Sequence, residues 1–531
     1  MARVSLKLPL LLAATVCPLS RGQTIVGQDG QVMGANTATV APAAKPGTLQ
    51  LTDAGLANLT AHKLSGIELF GFGDAASLSA RLNPIPVGSC KAFPGDAAWP
   101  SPATWAVFNL LTGGAQIKTV PIGAVCYPDS GVYGAQKCVN IIDKWSLSAT
   151  QCAPTTQPQS CPPFYTGETC MPLNGNTSHC TLGGFPSYTV NVITIADIQL
   201  AVNLARNASL RLVVKYTGHD FLGKSCGAGA LSVWTHHLKS LRFLPVVATP
   251  SYSSPTFKLG AGRYIAGGRH SPLSPRYGLG SEQVLSVDVV LPGGRFVTAT
   301  ETDHTDLFFA LRGGGGSTFG VVTSVTVKAH PRTSFSGLTQ AITTGPDTAN
   351  PDEGIFWAAL EAYRRRLPEF AAAGSYGYSM IFPRRPPGSR YTWTMHRGWS
   401  VWSNTTTRDA LFAAVRSVIA DGLALIQYNM DPAAPEGTPP SGANTHWRDA
   451  LWFAIMGSVW GDGIGRDGAG AEADYGGVDG AAEGFGPGAY PNEGDVMGPG
   501  FGGNYERLRW RVQGQEEWLT LQTGRLCKVA E

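Results

Sequence analysis

The chain is poor in charge. Only 15% of its 531 residues are Asp, Glu, Lys or Arg, and the formal net charge is +3. Without a basic stripe there is no electrostatic footprint for nucleic acid, and without a polybasic cluster none for an acidic membrane surface. Long apolar runs are also missing. The run Pro9–Val16 is too short to span a bilayer, and no later one is long enough. No Cys-x-x-Cys pair occurs, so the commonest metal-ligand spacing is absent and no metal site is expected. No Gly-x-Gly-x-x-Gly opens a helix within a βαβ unit, which argues against a nicotinamide-type Rossmann site.

What is abundant is glycine, 66 residues, and proline, 37, so a loop-rich fold is expected. Arg3 and Lys7 precede the short apolar run, and Ser20 and Gly22 follow it with small side chains. This pattern predicts a secretory signal over residues 1–22 and an exported, extracellular protein. Cysteine usage agrees. Of 10 cysteines, seven lie between Cys90 and Cys180, as expected for structural disulfides in an oxidising compartment. Their connectivity is left open, and removal of Cys17 with the leader makes the count odd. Asn58, Asn176, Asn207 and Asn404 each begin a glycosylation sequon.

The organisation is uneven. Residues 23–87 carry little information, and residues 88–183 form a Cys-rich flank. From Tyr188 the text becomes regular: a strand candidate at Tyr188–Val192, a capping box at Thr194-x-x-Asp197, helical spacing through Ile198, Val202 and Ala205, and a buried strand at Leu212–Val214. Further strands are predicted at Leu231–Trp234, Val284–Leu291 and Val321–Ala329. Beyond residue 333, Phe356–Leu367 reads as a helix. Alternation at Tyr376, Tyr378, Met380 and at Tyr391, Trp393, Met395 predicts paired strands with aromatic faces. His446–Val459 is a strand or a helix. Residues 461–503, dense in Gly, Ala and Asp, are expected to be loop or disordered.

Three glycine-rich elements punctuate this region: Lys215–Ser225 with Thr217-Gly218-His219-Asp220, Gly267–Leu279 with His270-Ser271-Pro272-Leu273, and Leu311–Gly320 with four consecutive glycines. Glycine allows backbone amides to approach a pyrophosphate closely and to adopt the left-handed angles such loops need. In this order, over Pro186–Pro331, the elements resemble the FAD-binding domain of the vanillyl-alcohol oxidase and p-cresol methylhydroxylase superfamily, on its fungal berberine-bridge-like side. Tyr490-Pro491-Asn492 and Asn504–Leu508 are similar to that family's closing motifs.

The resemblance implies an α+β fold: a two-subdomain PCMH-type FAD-binding domain over residues 184–332, then a substrate domain over 333–489 with an antiparallel sheet covered by helices. A C-terminal motif and divergent tail would fill 490–531. It further implies FAD held covalently through His219. Thr217, Gly218, Asp220, Gly223, Ser225, Gly267, Gly268, His270, Ser271, Gly278, Gly314, Gly315, Gly320, Val321 and Asn492 would line the cofactor. Tyr490 would be the catalytic residue on the substrate face. The implied activity is oxidation of a small alcohol, sugar or secondary metabolite by hydride transfer to flavin, with dioxygen as acceptor, in a secreted monomer. Tyr378 and Trp393 are candidates for the substrate wall, whereas His236 and His237 read as structural.

Three departures from the family pattern stand in the sequence. Gly260-Ala261-Gly262 runs directly into Arg263–Gly268, where relatives carry a few tens of residues including a second flavin-linking cysteine. Cys226 does not replace that cysteine. Arg269 stands where the family has glycine, and the sequence after Leu508 diverges. A flavin-binding protein without turnover, or a disulfide-stabilised extracellular binding module, are the other readings.

Overall fold

The computed structural model describes residues 25–26, 32–33, 49–73, 91–145, 163–172, 179–218, 223–260, 263–316, 318–339, 342, 353–381, 392–398, 402, 404–420, 424–432, 436–448 and 450–457. Two short strands, β1 (Ile25–Val26) and β2 (Val32–Met33), pair with each other. The remaining strands form three sheets.

The first sheet has the order β3-β4-β6-β5. Strands β4 (Tyr188–Asn191), β6 (Leu231–Trp234) and β5 (Leu212–Lys215) are parallel, and β3 (Gln116–Lys118) is antiparallel to β4. Parallel strands of one sheet need a crossover, and the helix Ile195–Asn207 supplies the one from β4 to β5, on the far side of β6. Its start is the capping box read from the sequence. Thr194 Oγ1 accepts from the Asp197 amide at 3.2 Å, and the Asp197 carboxylate accepts from the Thr194 amide at 2.8 Å. The helix then buries Ile198, Val202 and Leu204 against Val190, Val214 and Val233. Each such side chain contributes about 1.5–3 kcal/mol relative to exposure.

Ile67, Phe70, Trp105 and Phe108 belong to that same core. Segments before residue 184 therefore share this core. Its stitches are polar contacts that no periodicity reveals: Asn203 Nδ2 donates to Phe70 O at 3.0 Å, and Asn207 Nδ2 to Leu69 O at 2.9 Å and Gly71 O at 3.0 Å. Asn207 is thus a half-buried anchor rather than an open sequon. Asn58 and Asn404 are exposed. Asn404 Oδ1 caps the helix Thr405–Ala420, accepting from Thr406 N at 2.9 Å.

The second sheet is antiparallel, β10 (Phe296–Thr300), β9 (Val284–Val290), β11 (Val321–Lys328), β8 (Tyr252–Gly260) and β7 (Leu241–Thr249). The β7–β8 hairpin was not expected. Pro245 and Pro255 interrupt its sequence pattern, and the β7 register slips between Leu244 and Val247, around Pro245.

The third sheet has the order β12 (Gly377–Ile381), β14 (Ala424–Asn429), β15 (Ala450–Gly457), β13 (Thr392–Gly398), all antiparallel. The helices Glu353–Arg365 and Thr405–Ala420 cover one face through Leu360, Leu411, Val415, Leu425 and Trp452. The two aromatic strands expected to pair are instead the two edges of this sheet, because β14 and β15 intervene. His446–Val459 resolves into a single helical turn, Thr445–Arg448, followed by β15.

Disulfides Cys126–Cys138 and Cys170–Cys180 staple the Cys-rich flank. Cys226 is also disulfide-bonded, and no described cysteine is free. No described helix is long and apolar enough to cross a membrane. Residues 1–22, Asn176 and the Gly-rich stretch 461–503 lie outside the described residues.

Candidate active site

The parallel sheet ends in a row. Asn191, Trp234 and Lys215 are the last residues of β4, β6 and β5 and are register partners, so they share one face. That face is opposite to the one packed on the helix Ile195–Asn207. One step back along it, Thr189 and Ser232 are also paired. Their hydroxyls are buried and lack hydrogen-bond partners among the described residues. Beyond the row the chain continues as Thr235-His236-His237-Leu238-Lys239 on one strand end and Tyr216-Thr217-Gly218, the opening of the first glycine element, on another.

These segments interlock. Lys239 Nζ donates to His236 Nε2 at 2.9 Å, and the Tyr216 backbone is the other hydrogen-bond partner of His236. His237 Nδ1 meets Asn191 Oδ1 at 2.5 Å. The Trp234 ring lies 5.7 Å from that of His236 and 4.7 Å from that of His237, with Lys215 Nζ 5.6 Å above its centre. Burial pushes His236 down to about 4, and Lys239, His237 and Lys215 add to the shift. Burial and Lys239 lower His237 as well.

The second and third glycine elements are joined to each other. Gly315 donates its amide to Ala266 O at 2.8 Å. Gly267 and Gly268 are buried, and Ser281 donates to Gly268 O at 2.9 Å. Ser271 N donates to Ser274 Oγ at 2.9 Å, and Gly278 ends the turn Ser274–Tyr277. Gly314 N closes onto Ala310 O at 3.0 Å, Gly320 lies against Val290, and Val321 opens β11. Arg269 is exposed and has φ +45°, the left-handed region that the family glycine would occupy without strain.

Both elements meet the third sheet. A Cβ on Gly313, at φ +107°, would lie 2.6 Å from Ala443 Cα, so the 436–448 loop rests directly on that glycine. Buried Arg312 donates to Pro439 O at 3.3 Å and to Pro440 O. Arg448 forms an ion pair with Glu282, whose side chain is fully buried. Burial raises the Glu282 carboxyl while Arg448 opposes the shift. His270 enters an aromatic cluster: its Nδ1 is 3.1 Å from Tyr376 Oη, and the Tyr428, Trp447 and Phe453 rings lie at 4.7, 5.3 and 5.8 Å. Tyr378, Tyr428 and Phe453 form one cross-strand row on the face away from the helices. Trp393 lies in β13, where its backbone register partner is Met456 of β15.

His219, Asp220, Tyr490 and Asn492 lie outside the described residues. Thr217 and Gly218 stand at the carboxyl edge of the first sheet. Gly223 packs on the Tyr165 ring, and Ser225 is buried close by. The sequence reading missed that Gly218–Ser225 also spells Gly-x-x-x-x-Gly-Lys-Ser, a P-loop pattern. A P-loop needs a helix next, and here turns lead into β6, so triphosphate chemistry is not indicated.

No protein-family model matches the chain. Among curated proteins it is 37% identical over 319 residues to the FAD-linked oxidoreductase ZEB1 of Gibberella zeae, covering 55% of each chain. It is 37% identical over 339 residues to the VAO-type flavoprotein oxidase VAO615 of Thermothelomyces thermophilus, covering 58% of each. The matched stretches thus span little more than half of those relatives. Among solved structures, the VAO-type flavoprotein MtVAO615 from Myceliophthora thermophila C1 superposes with a TM-score of 0.69 at 25% identity, covering 82% of this chain and 94% of that one.

The chain is thus similar to FAD-linked oxidoreductases and VAO-type flavoproteins, in sequence over little more than half of the curated relatives' length and in fold over most of the solved one. The mixed α+β architecture read from the motifs is the VAO-type fold. VAO-type flavoproteins imply FAD, and the described residues suit such a group. A buried polar sheet face with two unmatched hydroxyls, bordered by Lys215, His236, His237 and Lys239, offers donors to an anionic dinucleotide. The VAO-type fold then sets the aromatic face of the third sheet beside the second glycine element.

Proposed function

We propose that the protein is a secreted FAD-dependent oxidoreductase that oxidises a small alcohol, sugar or secondary metabolite, with dioxygen as acceptor and His219 as the covalent tether. The observation that carries this reading is the aromatic row Tyr378–Tyr428–Phe453, which faces the His270 element of a VAO-type cofactor domain. When bound, FAD supplies the hydride-accepting chemistry. The chain's own residues bind and orient. Tyr378 and Tyr428 offer ring surface to a planar or sugar-like substrate. The His270–Tyr376 hydrogen bond fixes the imidazole at the edge of that surface. Tyr490 is our candidate for the group that takes the substrate proton, with Asn492 holding it in place. The protein would act outside the cell as a monomer, with Asn58 and Asn404 as its accessible glycan acceptors.

The test is to express the full chain in a secreting fungal host and precipitate it with acid. Flavin retained in the pellet, and lost on His219→Ala, supports the tether. Anaerobic bleaching by a panel of alcohols and sugars, followed by peroxide release in air, supports the activity. A second reading, flavin binding without turnover, is favoured by one feature. β8 ends at Gly260 and the helix Arg263–Ala266 follows after two residues, where the family resemblance implies a longer segment. A yellow protein that no offered substrate reduces would favour it.

A further inference from the structure

We propose that Lys239, His236 and His237, with Lys215 and Asn191, form a side-chain site for the diphosphate of a dinucleotide at the carboxyl edge of the parallel sheet. The proposal rests on the flavin reading but assigns residues that the motifs do not. Ligands of open parallel sheets bind outside the carboxyl ends of the strands, and β4, β5 and β6 all end here. The three terminal residues Asn191, Trp234 and Lys215 share one face, with the buried, unmatched hydroxyls of Thr189 and Ser232 two residues behind Asn191 and Trp234 on that face.

Four basic side chains converge on this edge. Lys239 and His236 are hydrogen-bonded, the two imidazoles have ring centres 5.4 Å apart, and Lys215 lies over the indole that both touch. Among the described residues no carboxylate forms an ion pair with Lys239, His236 or His237. The hydrogen bond from Lys239 requires the His236 Nε2 lone pair. The imidazole is therefore neutral with its proton on Nδ1, directed at the Tyr216 carbonyl. Tyr216 is the stem of the first glycine element. His236 thus fixes that stem and aims the Lys239 ammonium at the same edge, while His237 is turned by Asn191. A dianionic diphosphate would accept hydrogen bonds from the lysines.

The experiment uses the full chain carrying His219→Ala, so that flavin exchanges. FAD, riboflavin and inorganic pyrophosphate are titrated into it, and into the same protein with Lys239→Gln, Lys239→Arg or His237→Asn. Melting curves confirm that each variant is folded. Lys239→Gln should weaken FAD and pyrophosphate roughly tenfold, about 1.4 kcal/mol, and flatten the salt dependence of FAD binding. Riboflavin binding should not change, and Lys239→Arg should restore FAD binding. Equal losses for FAD and riboflavin, or no loss for either, would overturn the site while leaving the flavin reading intact. Pyrophosphate binding without FAD binding would keep the anion site and remove the flavin reading. Failure of both ligands in the parent protein would end both.

Discussion

Arg269 and His236 each hold a state that their residue type disfavours. Arg269 carries a side chain at φ +45°, where an L-residue loses about 1–2 kcal/mol relative to right-handed backbone. Arg269→Gly should therefore melt higher than Arg269→Ala, with a difference of about 1 kcal/mol, because alanine keeps the strain and removes the same side chain. His236 is kept neutral by burial and by three basic neighbours, Lys239, His237 and Lys215. Its ordinary value is 6.5, and in the fold it lies at about 4. Between those values the unfolded chain holds more protons, so stability must fall as pH drops through that window. His236→Asn should flatten this slope in urea titrations at pH 7, 5.5 and 4.5. The glycine motifs were legible at this scale, but the role of His236 was not. Its partners, Lys239 and the Tyr216 backbone, come together only where two strand ends converge.

Elements were legible where local rules decide them. The Thr194–Asp197 box announced the helix Ile195–Asn207, and Thr194→Ala should cost about 1 kcal/mol in chemical denaturation. Runs of β-branched residues announced β5, β9 and β11. The β7–β8 hairpin stayed hidden because prolines break its alternation, and the pairing of β12 was misassigned because alternation names a face but not a neighbour. Contacts between elements were equally hidden. Asn207 looked like a glycan acceptor, yet its amide holds two backbone carbonyls of the 67–71 segment. Asn207→Ala should lose about 1–2 kcal/mol, and peptide mapping of secreted protein should find glycan at Asn404 rather than Asn207.

Across the molecule, the second and third glycine elements and the third sheet are joined by the 436–448 loop. Among its contacts are the close approach of Ala443 to Gly313, the hydrogen bonds from Arg312 to Pro439 O and Pro440 O, and the Glu282–Arg448 ion pair. Arg448→Met would leave a carboxylate buried without its cation, at a cost of about 3 kcal/mol. The loss should be larger at pH 8 than at pH 5, because protonation relieves the buried charge and burial already raises that carboxyl. The double variant with Glu282→Gln should recover part of the stability, as read by calorimetry. By itself the sequence pointed to a flavin cofactor through its resemblance to a flavoprotein family, because the glycine motifs that carry the resemblance stand in a fixed order along the chain. Only the tertiary structure decided that the N-terminal region shares the first core, that Tyr378 joins the row with Tyr428 and Phe453, and that four basic side chains meet beside the first glycine element. Those outcomes depend on register and on packing between segments far apart in the chain, which no local pattern encodes.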